Sequence, residues 1–201
     1  RALDGVLQMS RLDNRGQTLD LIAGNGGTLR LRDTIENATL NVAAGTEIDV
    51  AGQLANVALA GAGSARITEA SRGDGLTVGT ELLVGGADMT RNFALDVYNG
   101  LVLDGLLGVS GTSAREAQVT FSGAQSVTGS GSVVLSRSAV TDGVAARNEV
   151  LFDGLLTAPE LLEVSVPLSG DGTVSARDAG DALRLLGGVL GVAGGGLGLA
   201  G

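Results

Sequence analysis

The chain has 201 residues, 34 of them glycine, and a formal net charge of −9; 44% of its residues are hydrophobic but only 2% are aromatic. It contains no histidine, no cysteine and, among its 13 basic residues, no lysine. That excludes a Ser-His-Asp triad, a cysteine nucleophile, a Schiff base and an ordinary zinc site.

Scattered arginines on an acidic chain lack the clustered positive charge that nucleic acid or an anionic membrane needs. No apolar run of about 18 residues offers a spanning helix. With so few aromatics, burial must come from many small aliphatic side chains stacked repeatedly, which favours a narrow core extended in one direction. The absence of cysteine suits a secreted bacterial chain that crosses a membrane unfolded. No charged-then-apolar leader follows Arg1, which reads as a mature product or an excised fragment.

In chain order, a motif of apolar, small or acidic, Gly or Asn, apolar recurs: LDGVL from Leu3, IENATL from Ile35, LANVAL from Leu54, LDGLL from Leu103 and FDGLL from Phe152. A second motif couples two short alternating strands across a corner, beginning at Thr18, Ala38, Ala94 and Gln118. Alternation of period 2 predicts strands with inward pairs Leu19/Leu21, Leu29/Leu31, Leu40/Val42, Ile48/Val50, Val57/Leu59, Leu95/Val97 and Val119/Phe121. Glycine is expected at the corners, where sharp turns need a positive φ.

The predicted fold is all-β, a parallel β-helix (solenoid) over residues 1–157. With about 16–20 residues per coil and rungs ~4.8 Å apart, eight or nine coils would make a rod about 40 Å long. The alternative is an antiparallel β-sandwich, disfavoured by strands of about four residues and by few hairpin dipeptides. Residues 68–93 and 136–149 fit the repeat poorly and are expected as loops or irregular coils leaving the rod.

The stretches FSGAQSVTGSGSVVLS and GTLRLRDTIENATLNVAAGTEIDVAG resemble repeat-rich secreted surface proteins of bacteria, of the filamentous-haemagglutinin and autotransporter-passenger types. The resemblance covers residues 1–157. It implies a right-handed parallel β-helix at an extracellular or cell-surface location, with a structural or adhesive role as stalk, display surface or filament subunit. Expected partners are other copies of the chain, adjoining solenoid coils, surface glycans or host receptors.

Pro159 and Pro167 mark a change of composition, and a boundary is placed near residue 158. Beyond it, SGDGTVSARDAGDALRLLGG resembles one half of a dockerin, a calcium loop followed by a short helix. That resemblance makes Asp171 and Asp178 metal ligands, Gly172 the turn and Val174 the apolar position, with Leu183, Leu185 and Leu186 on the exiting helix. Pro167 and Ser169 stand where charged ligands would be, and the second loop is missing. The other reading is a solvated turn with Ser175 capping a helix, supported by Asp178. Residues 158–187 are thus read as an appendage, and 188–201, rich in glycine, as a flexible terminus or one more strand.

Arg72-Gly73-Asp74 spells the integrin tripeptide inside a stretch expected to be irregular, and Asn37-Ala38-Thr39 is a glycosylation acceptor sequence expected to be idle in a bacterial strand. The glycine clusters GNGG and GSGS lack the lysine of a phosphate loop. The chain is read as non-enzymatic. The rival is a polysaccharide-binding or polysaccharide-degrading β-helix, whose carboxylates would have to stack on adjacent coils. Asp20, Asp33, Asp49 and Asp96 face outward by alternation, and Tyr98 and three phenylalanines are the only aromatics available to a sugar.

Overall fold

The computed structural model describes residues 6–22, 28–112, 114–135, 147–153, 161–170, 172–176, 182–187, 189–191 and 197–200. Within them, 19 strands join one continuous ladder. Every strand pairing is parallel. Partners lie a whole winding apart in sequence, as where Thr28–Val42 lies along Glu47–Gly61. This is a parallel β-solenoid of about six turns, and the hairpin-linked sandwich is excluded.

Each winding bends at three corners, so the wall has three faces. On the first face one inward column runs Leu7, Leu29, Ile48, Ala65, Leu82, Leu107, Val133, so six turns separate Leu7 from Val133. A parallel column runs Met9, Leu31, Val50, Ile67, Val84, Val109, Leu135. The second face stacks Leu12, Ile35, Leu54, Gly73, Val97 and Phe121. The third stacks Leu19, Leu40, Leu59, Val78 and Leu103.

These columns meet in one core of small aliphatics. All the predicted inward pairs belong to it; Leu19, on an early rung, is only partly buried. Period-2 alternation produces this directly, because successive strand side chains point to opposite faces.

Spacing along the first column is 22, 19, 17, 17, 25, 26 and then 35 residues to Leu168. The coils are therefore longer and fewer than a uniform 16–20 residues would make them. The extra residues enter mainly at the first corner, between first and second faces, where 86–92 and 111–115 leave the ladder. A parallel ladder constrains only its rungs, so an insertion at a corner bulges outward without disturbing register.

Residues 68–93 are for the most part not a departure from the rod. Ser71–Val78 and Glu81–Gly85 are strands, with Leu76, Val78, Leu82 and Val84 buried. Their periodicity is disguised by Gly73 in an inward column, where the space a side chain would fill is taken by Leu76. Residues 136–146 lie outside the described residues, and Arg147–Asp153 is a strand on Glu116–Ser122.

The expected C-terminal helix is not found: there is no helix among the described residues. Ala182–Leu185, which holds Leu183 and Leu185, is a strand paired with Leu161–Val164. The apolar spacing that suggested a helix face also satisfies a rung, and the ladder below supplies backbone partners that an isolated helix lacks. Leu168–Gly170 and Val189–Gly191 add rungs to the first face, and Leu197–Ala200 pairs with Gly172–Ala176. Leu161–Val164 lies on Gln125–Thr128, and residue 158, the expected boundary, lies outside the described residues.

The recurrent motif marks two different corners. At the second corner, between second and third faces, Asn37, Asn56 and Asn99 hold φ of 51°, 52° and 56°. Pairing continues on both sides, Glu36 to Ala55 and Ala38 to Val57. One left-handed residue makes the bend at Asn37 and Asn56, and two, Asn99 and Gly100, make it where the register shifts; asparagine tolerates that conformation through its short polar side chain. At the third corner, Asp104 accepts from the Ser130 backbone N–H at 3.0 Å and hydroxyl at 3.1 Å. A Cβ on the adjacent Gly105 would collide with the Thr80 carbonyl oxygen.

Two substitutions test this packing. Leu40→Ala, between Leu19 and Leu59 in its column, is expected to cost about 2–5 kcal/mol in urea unfolding. Ile22→Ala, at a side chain 62% exposed, should stay within about 0.5 kcal/mol. At the second corner, Asn56→Ala should cost about 1–2 kcal/mol through left-handed strain, and Asn56→Gly less. Equal losses would show that the corner carries no such strain.

Candidate functional site

The register decides whether the outward aspartates can act together. Asp20 lies beside Asn41 on the third face and accepts its amide at 2.7 Å. Asp33 is at the first corner opposite Gly52, with φ 56°. Asp49 lies on the first face between Arg30 and Arg66 and is bonded to Arg30 at 2.9 Å. Asp96 lies on the second face between Arg72 and Thr120. The four are dispersed around the wall, and no two of them are register partners.

Asp13 and Glu36 do occupy adjacent rungs. The Arg15 backbone N–H, then the Asn37 amide, hold the Asp13 carboxyl below its ordinary value. A carboxyl kept ionised in this way is the opposite of a general acid. Asp171 and Asp178 lie outside the described residues. Among the described residues no group of three or more Asp and Glu stands together to hold a metal ion.

Arg72-Gly73-Asp74 is on the strand Ser71–Val78, not on a loop. Gly73 is buried, Arg72 bonds Asp74 at 3.2 Å, and the Arg72 guanidinium lies 3.9 Å from the centre of the Tyr98 ring. The charged ends of the tripeptide are thus committed to each other and to their neighbours. Asn37 is likewise taken, donating to Asp13 and accepting from Asn56, each at 3.3 Å.

The residues that do converge are those of the second corner. Asn56 donates to Asn37 and Asn37 to Asp13, so carboxamides stack from rung to rung. One rung on, the same position is Gly75, with φ 61° and no side chain. A Cβ built on Gly75 would meet the Asn56 Oδ1 at 3.0 Å, so that oxygen is aimed at the vacant place. The column resumes with Asn99, which donates to Asp74 at 2.6 Å.

Beside this column the third face shows Thr18, Thr39, Ala58, Thr77, Val102 and Thr128 in line along the axis. Two shallow depressions open to solvent lie between column and line, of about 340 Å³ and 220 Å³. Both are lined by Gly75 and Thr77, so they form one furrow with its middle at the vacant corner. The sequence carried a signal for this: Asn37, Asn56 and Gly75 recur every 19 residues, each a type that accepts a positive φ. No protein-family model, curated protein or solved structure was found to match this chain.

Proposed function

We propose that the chain is a structural or adhesive segment of a secreted or cell-surface bacterial protein, serving as a rigid spacer and display surface. The observation that supports this is the uninterrupted ladder from Leu7 to Val133 over a closed aliphatic core. Six rung spacings of ~4.8 Å set a rod of about 29 Å over that part, held by hydrogen bonds along its length. Stability in such a rod is a near-neighbour sum, so length is gained by adding coils.

The partners proposed are other copies or adjoining coils, which would cover the first rung. There Leu7 is 42% exposed, and Met9 and Leu12 are only partly buried. Cysteine-free composition suits export of the unfolded chain, and host receptors or surface glycans would meet the outer faces. The function proposed is not catalytic.

Two measurements test this reading. Incubation with a panel of acidic polysaccharides should release no new reducing ends, and product formation would overturn the non-catalytic assignment. Beads coated with the protein should adhere to host cells or matrix equally well with Asp74→Glu, since Arg72-Gly73-Asp74 is not displayed on a loop. Adhesion abolished by that change would make the tripeptide the ligand.

A further inference from the structure

The three faces differ in charge. The first carries Arg30–Asp49 and Arg66–Glu47 ion pairs on its outer side, with Asp88 of the first corner also on Arg66. The second carries Glu36, Arg72, Asp74 and Asp96. The third, between Ala38 and Thr128, turns Thr, Asn, Ala and Val outward along its strands, with the exposed Asp104 at its third-corner edge bonded to Ser130. On a chain of net charge −9, the line of Thr39, Ala58, Thr77, Val102 and Thr128 beside the second corner is an uncharged strip.

The furrow along this strip runs across the strands. Its backbone donors and acceptors are consumed in the ladder, so an extended peptide finds no sheet edge there. What the furrow offers instead is amide and hydroxyl: Asn56, Asn99, Thr39, Thr77, Ser126 and Thr128. The threonines fall on every second rung of their line and the asparagines on every second rung of theirs, about 9.6 Å apart, so the two lines alternate along the axis. Val102, 41% exposed, supplies an apolar patch for the C–H face of a ring.

We propose that the furrow binds an extended neutral glycan along the solenoid axis, with the vacancy at Gly75 as its central subsite. There a sugar hydroxyl takes the place that the next asparagine of the column would occupy and donates to the Asn56 Oδ1. Thr77 stands beside it as a hydroxyl that can donate or accept. A polyanionic glycan finds no counter-charge on this face, which sets the specificity.

The decisive variant is Gly75→Asn. Its φ of 61° matches the neighbouring asparagines, so the new side chain completes the amide column and fills the subsite. Titration with cello-, manno- and xylo-oligosaccharides, followed by calorimetry, should find one that binds. Gly75→Asn should weaken that binding at least tenfold with the melting temperature held or raised. Arg30→Gln, on the first face, should leave binding unchanged. Thr77→Val, which keeps shape and strand preference, serves as the second variant should Gly75→Asn fail to fold, and should also weaken binding. Failure of all three neutral series, affinity only for oligogalacturonate, or affinity indifferent to both Gly75→Asn and Thr77→Val would overturn the proposal. None of these results bears on the spacer role.

Discussion

Each coil hides its aliphatic side chains beneath those of the next, and little in the chain beyond this could bury them. Aromatics are 2% of the residues, and Phe121 is the largest side chain in the fully buried set. The core is therefore a set of vertical columns of Leu, Ile, Val and Ala, and every position is judged by what stands above and below it. Gly73 shows the tolerance of this arrangement: between Leu54 and Val97 it contributes no side chain, and Leu76 leans into the space. The same constraint explains why the Arg-Gly-Asp tripeptide is not a display loop, because its glycine is an inward position.

The corners obey different rules. The second turns on one left-handed residue at Asn37 and Asn56 and on two at Asn99 and Gly100, staying short enough that its side chains fall into line and form a column. The third relies on glycines pressed against the backbone of the coil below, as Gly105 is against Thr80. The first alone accepts long insertions among the well-paired coils. Its excursion at 86–92 is tied down by ions: Asp88 to Arg66 at 2.9 Å, and Arg91 to Glu69, which also faces Arg32. Exposed pairs of this kind contribute about 0–1 kcal/mol each, so their role is to orient the excursion more than to hold the rod.

This division of labour separates structure from recognition. Most of the ion pairs lie on the first face and first corner, with Arg72–Asp74 on the second face and Arg184–Glu163 on the rungs beyond Ser126, while the line from Thr39 to Thr128 is uncharged and furrowed. A furrow arises there because the corner column is broken at Gly75, where the ladder to the next coil also shifts register between Asp74 and Leu76. A single missing side chain in an otherwise repeated column leaves a polar vacancy in the wall.

The parallel architecture and the inward residues were legible in the sequence, because period-2 alternation and repeated corners are local properties. Leu40/Val42 and Ile48/Val50 announce themselves within a few residues of chain. Coil length was not legible, since insertions at the first corner change spacing without changing any local pattern. The segment around Leu183 and Leu185 reads equally as helix or strand, and only pairing with Leu161–Val164 decides it. The outward aspartates were identifiable one by one, but whether any two meet depends on register, which is set by contacts between residues roughly 17 to 35 apart and by no local preference. The sequence by itself determined a stack of short parallel rungs around an aliphatic core. Which side chains share a column, and that Gly75 leaves one of them open, was decided by the tertiary structure, because columns exist only once coil is laid on coil.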